Sequence, residues 1–285
     1  MTYRELYAYG VRTLEEAGVA EAALNARLLL EYVCRTDRNT LLVHGDSVRS
    51  PIEEEFYKIT IEKRRQHIPL QHITGEQEFM GLVFRVNEHT LVPRQDTEIL
   101  VEEAMRYLGD GMRILDLCTG SGCILLSLLK YSNECEGIGI DISENALLVA
   151  RENAARLGLD AAFLCGDLFG PLAEFVSERT RDRLFDIIIS NPPYISSGEI
   201  PKLMPEVRDH EPHMALDGME DGLYFYRKII EEAPSYLRKS GMLFFEIGCE
   251  QAEAVSALLR EKGFGTIEVI KDYAGLDRVI KANLC

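Results

Sequence analysis

The chain has 285 residues, 46% of them hydrophobic and 27% charged, with a formal net charge of −16 and an isoelectric point near 4.9. That length holds one large or two ordinary domains with a proper core. So acidic a balance disfavours sequence-independent binding to nucleic-acid phosphate, which needs a cationic face.

No apolar run approaches the ~20 residues needed to cross a bilayer, and the N-terminus has no signal-peptide core, so no membrane partner is expected. The seven cysteines (Cys34, Cys118, Cys123, Cys135, Cys165, Cys249 and Cys285) are odd in number and form no Cys-x-x-Cys pair. They read as reduced thiols of a cytoplasmic protein. The six histidines, His67 and His72 among them, show no metal-ligand spacing, and no metal is expected.

Residues 1 to about 75 read as helical throughout. Tyr7, Val11 and Leu14 share one helical face, with Gly18 as a C-terminal stop, and Leu24, Leu28 and Tyr32 follow at helical spacing. Ser50-Pro51-Ile52-Glu53 has the N-cap, N1 proline and N3 glutamate of a capping box. That helix ends on Lys63-Arg64-Arg65, cations placed where the macrodipole favours them. No chemistry-bearing motif falls here, which suits a small bundle that orients a partner.

In residues 76–92 the period changes. Leu82, Phe84 and Val86 alternate with Val83 and Arg85 after a Met80-Gly81 turn, which predicts a β-hairpin between two domains. Pro93-Arg94-Gln95-Asp96-Thr97-Glu98 then opens a helix to about Leu108.

From Met112 the pattern alternates strand and helix. Strands are predicted at 113–117, 137–141, 162–165, 185–190, 242–246, 266–270 and 277–281, with helices at 143–157 (Ser143 as N-cap, Gly158 as stop) and 250–262. This is the signature of an α/β domain with a doubly wound, mostly parallel sheet that binds ligands at the carboxyl ends of its strands. The short link between the last two strands makes that pair antiparallel.

The first strand, Ile114-Leu-Asp-Leu117, runs into Cys118-Thr-Gly-Ser-Gly122. Its glycines permit close main-chain approach to a ligand at a helix N-terminus, but the spacing is not that of a dinucleotide fingerprint. Asp141 ends the second strand about twenty residues on, where an acid can accept from both hydroxyls of a ribose, although a lone acid there is more often a turn or cap residue. Asp167 and Leu168 follow the third strand, an acceptor for an adenine amino group and a flank for its ring.

The fourth strand, Phe185–Ser190, ends in Asn191-Pro192-Pro193-Tyr194. Asn-Pro-Pro by itself is equally an ordinary strand-ending turn. It also offers two fixed acceptors, the Asn191 side-chain oxygen and the Pro192 carbonyl, suited to gripping an NH2 group on a planar nitrogen.

Taken in order, these elements resemble the S-adenosylmethionine-dependent methyltransferases, and Asn-Pro-Pro-Tyr resembles the motif of those that methylate planar amide or exocyclic amino nitrogens. Pro69-Leu-Gln-His-Ile-Thr-Gly75, Phe79-Met-Gly81, Val92-Pro-Arg-Gln-Asp-Thr-Glu98, Glu206-Val-Arg-Asp-His-Glu-Pro212, Ala215-Leu-Asp-Gly218 and Asp221-Gly-Leu223 narrow the resemblance to the release-factor glutamine methyltransferases, the HemK/PrmC family. It covers nearly the whole chain.

The resemblance implies an N-terminal substrate-orienting helical domain at 1–75, a hairpin linker at 76–92 and a methyltransferase domain at 93–285. It further implies S-adenosylmethionine held by Cys118, Thr119, Gly120, Ser121, Gly122, Asp141, Asp167, Leu168 and Asn191. The glutamine of a Gly-Gly-Gln loop in peptide-chain release factors would be held by Asn191, Pro192, Pro193 and Tyr194, with Asn191, Pro192 and Tyr194 catalytic and the Tyr194 ring walling the site. Three residues depart from the family pattern: Cys118 and Met219 stand where glycine is common, and Gln95 where proline is. The rival readings are glutamine methylation on a ribosomal protein and adenine methylation on a flipped base, the latter disfavoured by the acidic charge.

Overall fold

The computed structural model describes residues 1–173 and 184–284; Cys285 lies outside the described residues. Its contacts define two compact units, Met1–Glu76 with Met204–His210, and Gln77–Leu203 with Glu211–Cys285.

The first unit is all helical: α1 (Tyr3–Glu16), α2 (Ala22–Cys34), α3 (Arg38–Val43), α4 (Pro51–Arg65) and α5 (Leu70–Thr74). The Ser50/Glu53 capping box forms as its residues dictate, and a second one, Thr2 with Glu5, starts α1. The buried face of α1 is Tyr3, Leu6, Gly10 and Leu14, and Tyr7 is exposed. In α2 the inward residues are Ala22, Asn25, Ala26, Leu29 and Leu30, while Leu24 and Tyr32 face outward. The reason is Arg64, buried on α4, whose guanidinium donates to Asn25 Oδ1 at 2.9 Å and to Glu206 Oε1 at 2.7 Å. A buried cation needs acceptors, so polar Asn25 is drawn inside.

The second unit opens with a hairpin, β1 (Glu76–Phe79) and β2 (Leu82–Arg85). Its turn residues Met80 and Gly81 have φ of +52° and +69°, the two left-handed positions of a tight hairpin turn. Next come α6 (Gln95–Met105), β3 (Arg113–Leu117), α7 (Cys123–Lys130), β4 (Glu136–Asp141), α8 (Glu144–Leu157), β5 (Ala162–Cys165) and β6 (Phe185–Ser190). After the short helix α9 (Pro205–His210) of the first unit follow α10 (Tyr224–Glu232), β7 (Leu237–Glu246), α11 (Ala252–Lys262), β8 (Phe264–Lys271) and β9 (Asp277–Leu284).

Seven strands form one sheet in the order β5-β4-β3-β6-β7-β9-β8. The strands from β5 to β7 are parallel, and β9 is antiparallel to both β7 and β8. The doubly wound sheet expected from the strand spacing is therefore present. Strand β7 begins earlier than the apolar run 242–246 suggests, because an irregularity at Arg238–Gly241, with Ser240 at φ +65°, interrupts its period.

Alternate side chains feed the two faces. Ile188, Leu243 and Phe245 pack into one core cluster, and Ile187, Ile189 and Phe244 into the other. Strand order reverses between β3 and β6, which puts a crevice at their carboxyl ends.

Candidate active site

Strands β3, β4, β5 and β6 deliver their carboxyl ends to one cavity of about 740 Å³. After β3 the chain must turn at once into α7. Cys118, Gly120 and Gly122 do so in the left-handed region, at φ of +60°, +56° and +78°. A Cβ on Gly120 would stand in open space, so the main chain there is bare to the cavity. On Gly122 it would come within 3.1 Å of Leu126 and 3.2 Å of Ala150. That glycine does not line the cavity; it seats α7 against α8.

The Thr119 hydroxyl donates to Asp116 Oδ2 at 2.6 Å and its N–H to the Ile140 carbonyl at 3.0 Å, tying the turn to β3 and β4. Asp116 is fully buried, and burial pushes its carboxyl up to about 7.

Asp141 closes β4. Its Oδ2 accepts from the Gly120 N–H and its Oδ1 from the Ser143 N–H, both at 2.9 Å. Desolvation outweighs these bonds and raises the carboxyl above its ordinary value. A desolvated carboxylate beside a cavity gains from ligand hydroxyls. Asp167 lines the cavity beyond β5 and meets Lys228 Nζ at 3.2 Å, and Leu168 flanks it from a left-handed conformation at φ +46°.

At the end of β6, Asn191 lies on the cavity wall with Nδ2 donating to Thr97 Oγ1 at 3.5 Å, so that Oδ1 is the acceptor it presents. Pro193 lines the cavity, whereas Pro192 and Tyr194 do not. The Tyr194 hydroxyl donates to Glu246 Oε1 at 3.1 Å, and its carbonyl accepts from Gln251 Nε2 at 2.9 Å. Tyr194 thus anchors the loop from behind, and the wall expected of its ring is supplied by other residues. A Cβ on Gly222 would fall 2.3 Å from the Tyr194 carbonyl oxygen, so close approach at that glycine belongs to the same anchorage.

The cavity also takes in His89, Thr90, Leu91, Pro93 and Arg94 before α6, and His213, Met214, Met219 and Phe225 beyond β6. Arg94 reaches both oxygens of buried Glu211, at 2.7 and 2.6 Å, and so fixes the start of that second group. The Val92–Glu98, Glu206–Pro212, Ala215–Gly218 and Asp221–Leu223 motifs lie in or beside these segments, and nothing else in the sequence points to them.

The three departures from the family pattern now have a physical reading. Gln95 is the first residue of α6, a position where proline is well tolerated. Cys118 and Met219 sit at φ +60° and +68°, where glycine is unstrained. Changing Cys118 or Met219 to glycine should therefore raise the midpoint of thermal unfolding by roughly 1–3 °C each, strain relief exceeding the added unfolded-state entropy. Calorimetry showing a lower midpoint for both variants would contradict this.

A bare glycine turn, an acid that touches it from the next strand, apolar flanks and an amide acceptor on the fourth strand suit an adenosyl ligand beside a planar nitrogen. That is the arrangement of an S-adenosylmethionine-dependent methyltransferase. Residues 5–75 match the family model "PrmC N-terminal domain" and residues 108–276 the model "Methyltransferase domain". The chain is 43% identical over 270 residues to the release factor glutamine methyltransferase of Thermodesulfovibrio yellowstonii, covering 92% of this chain and 94% of that one. It is 40% identical over 287 residues to the enzyme of the same name from Moorella thermoacetica, covering 99% and 98%.

A methyltransferase structure from Pyrococcus furiosus shares the fold, with a TM-score of 0.52 and 17% identity over 71% of this chain and 89% of that one. The chain belongs to the release factor glutamine methyltransferase family.

Proposed function

We propose that this chain methylates the side-chain nitrogen, N5, of the glutamine in the Gly-Gly-Gln motif of peptide-chain release factors. Its family supports the substrate class. The observation that carries the chemistry is the Asn191 amide, pinned through Nδ2 with Oδ1 presented on the wall of the cavity that also holds the glycine turn.

The residues present fit S-adenosylmethionine. The bare main chain at Gly120, with Cys118, Thr119, Ser121 and Gly122 shaping the turn, leaves room for the ligand, and Asp141, which lines the same cavity, has a further lone pair on each oxygen for a ribose. Asp167 and Leu168 would receive the adenine. The cofactor supplies an electrophilic methyl group on a sulfonium. An amide nitrogen is a weak nucleophile because its lone pair is delocalised into the carbonyl. Asn191 Oδ1 accepts from one of its N–H groups and stabilises the positive charge that develops on nitrogen, the converse of an oxyanion hole, while Pro192, buried off the cavity wall, stiffens the loop that holds it. Orientation by the same bond supplies proximity.

Mass spectrometry of a release factor incubated with the enzyme and isotopically labelled cofactor tests the reading. One labelled methyl group on the Gly-Gly-Gln glutamine is expected; a label found only on a ribosomal protein or on adenine would replace it.

The helical unit is the substrate-orienting domain in this reading, residues 76–92 the linker and 93–285 the catalytic domain. Leu24 and Tyr32 on α2 and Phe56 and Ile59 on α4 are exposed apolar side chains, with the Tyr32 and Phe56 rings 6.2 Å apart. Changing both Phe56 and Ile59 to aspartate should raise KM for an intact release factor about fivefold or more, and leave KM for a short Gly-Gly-Gln peptide unchanged. Equal effects on the two substrates would remove the orienting role. The net charge of −16 supports a protein partner over a nucleic acid. No helix among the described residues is long and apolar enough to cross a membrane. The six described cysteines are free thiols, which supports placing the enzyme in the cytoplasm.

A further inference from the structure

The Asn191–Tyr194 loop has few means of holding itself. Ladder pairing of β6 with β3 and β7 ends at Ser190, and neither Pro192 nor Pro193 has an N–H to donate. The loop is fixed from outside, and one half-buried side chain takes its far end. Gln251, in the turn from β7 into α11, donates from Nε2 to the Tyr194 carbonyl at 2.9 Å and to the Gly222 carbonyl at 3.2 Å. Its Oε1 accepts the Gly248 N–H at 2.9 Å. These three partners are main-chain groups of fixed polarity, so the amide has one orientation: its oxygen meets the N–H and its NH2 meets the two carbonyls. The Tyr226 hydroxyl, 3.4 Å from the same oxygen, suits that orientation too.

Two glycines bring the carbonyls together. A Cβ on Gly222 would stand 2.7 Å from Gln251 Nε2, and one on Gly218 would stand 2.8 Å from the Tyr194 Cα and 2.9 Å from the Pro193 oxygen. Residues 218–222 therefore lie flat against the loop, and the Gly218 N–H donates to the Ile195 carbonyl at 2.8 Å. Two carbonyl oxygens aimed at one point repel unless a donor fills it, and the Gln251 NH2 is that donor.

We propose that Gln251 is a positioning residue for methyl transfer: its NH2 group joins the Asn191–Tyr194 loop to residues 218–222 and so fixes where Asn191 Oδ1 stands. This rests on the reading that Asn191 Oδ1 receives the N–H of the substrate. Met219, carried by the second segment, lines the same cavity, so one side chain sets two parts of its wall. Gln251 does not itself line the cavity, and its bonds go to neither the Gly120 turn nor Asp141.

Gln251→Met keeps length and volume and removes the bonds. Measured well below its unfolding midpoint, single-turnover transfer to a release factor should fall roughly 10-fold or more, with the Kd for S-adenosylmethionine held within about twofold. Gln251→Glu keeps the acceptor for Gly248 but aims an oxygen at two carbonyls, and should be at least as slow; either variant that folds serves for the comparison. A double-mutant cycle with Asn191→Ala separates positioning from mere support. Because Gln251 acts through Asn191, adding Gln251→Met to Asn191→Ala should slow transfer by less than about threefold.

A normal rate in a folded Gln251 variant, with Asn191→Ala strongly impaired, overturns the positioning role and leaves the proposed function standing. Losses that add in full in the double variant mean that Gln251 acts elsewhere, and overturn it as well. A normal rate in Asn191→Ala overturns the mechanism of the proposed function, and this inference with it.

Discussion

Replacing Asn191 by alanine should slow single-turnover methylation of a release factor by about 10²–10³-fold at saturating S-adenosylmethionine. The substitution removes the acceptor that strengthens as charge develops on the substrate nitrogen, so the loss falls on kcat more than on KM. Side effects should be small, because the loop is held by other bonds: Tyr194 to Glu246, and Gln251 to the Tyr194 carbonyl. Asn191→Asp is the informative companion. It keeps an oxygen toward the cavity but loses the NH2 that Thr97 receives, and it adds negative charge beside a sulfonium, so cofactor affinity should hold or rise while the rate still falls. Rapid-quench measurements giving near-normal transfer in Asn191→Ala would mean that the amide is gripped elsewhere.

The second large effect is expected at Asp141. Loss of a charged acceptor for the ribose hydroxyls should cost roughly 1.5–3 kcal/mol of cofactor binding. The same carboxylate also receives the N–H groups of Gly120 and Ser143, so alanine leaves both donors without it and loosens the turn that faces the ligand. Asp141→Ala should thus weaken S-adenosylmethionine binding by about 10- to 100-fold or more, and Asp141→Asn, which retains one acceptor oxygen, by less. Titration calorimetry showing unchanged affinity for Asp141→Ala would take the residue out of the site.

Both positions were readable before any coordinates because they sit where regular structure forces them. A parallel strand buried on both faces has to end in a turn, and the sheet's switch point collects those turns, so Cys118, Asp141, Asp167 and Asn191 announce themselves by following apolar runs. Ser143 and Gly158 bracket α8 for equally local reasons, a side-chain cap and a left-handed stop.

What the sequence hides depends on tertiary partners. Helix α2 carries leucines on two faces, and which face turns inward is settled by Arg64 needing Asn25, on a different helix. Arg94 is one charge among many until Glu211 is seen beneath it. Tyr194 and Glu246, 52 residues apart, meet only once β7 lies beside β6. The cavity residues at 89–91 lie in irregular chain and those at 213–215 in a single 3-10 turn, too short for any period to be read.

The sheet's far side carries a consequence for how the protein is made. Strand β9 follows β8 in the chain yet lies between β8 and β7, and β8 pairs with no other strand among the described residues. As synthesis proceeds, β8 leaves the ribosome before the one strand that can accept it, and β7 waits with its outer edge open. Val279, Ile280 and Ala282, all fully buried in the finished sheet, close both edges in a single step. A nascent chain halted before Asp277 presents two unpaired edges to its neighbours, which makes the interval before β9 appears the time at which this enzyme is most exposed to self-association.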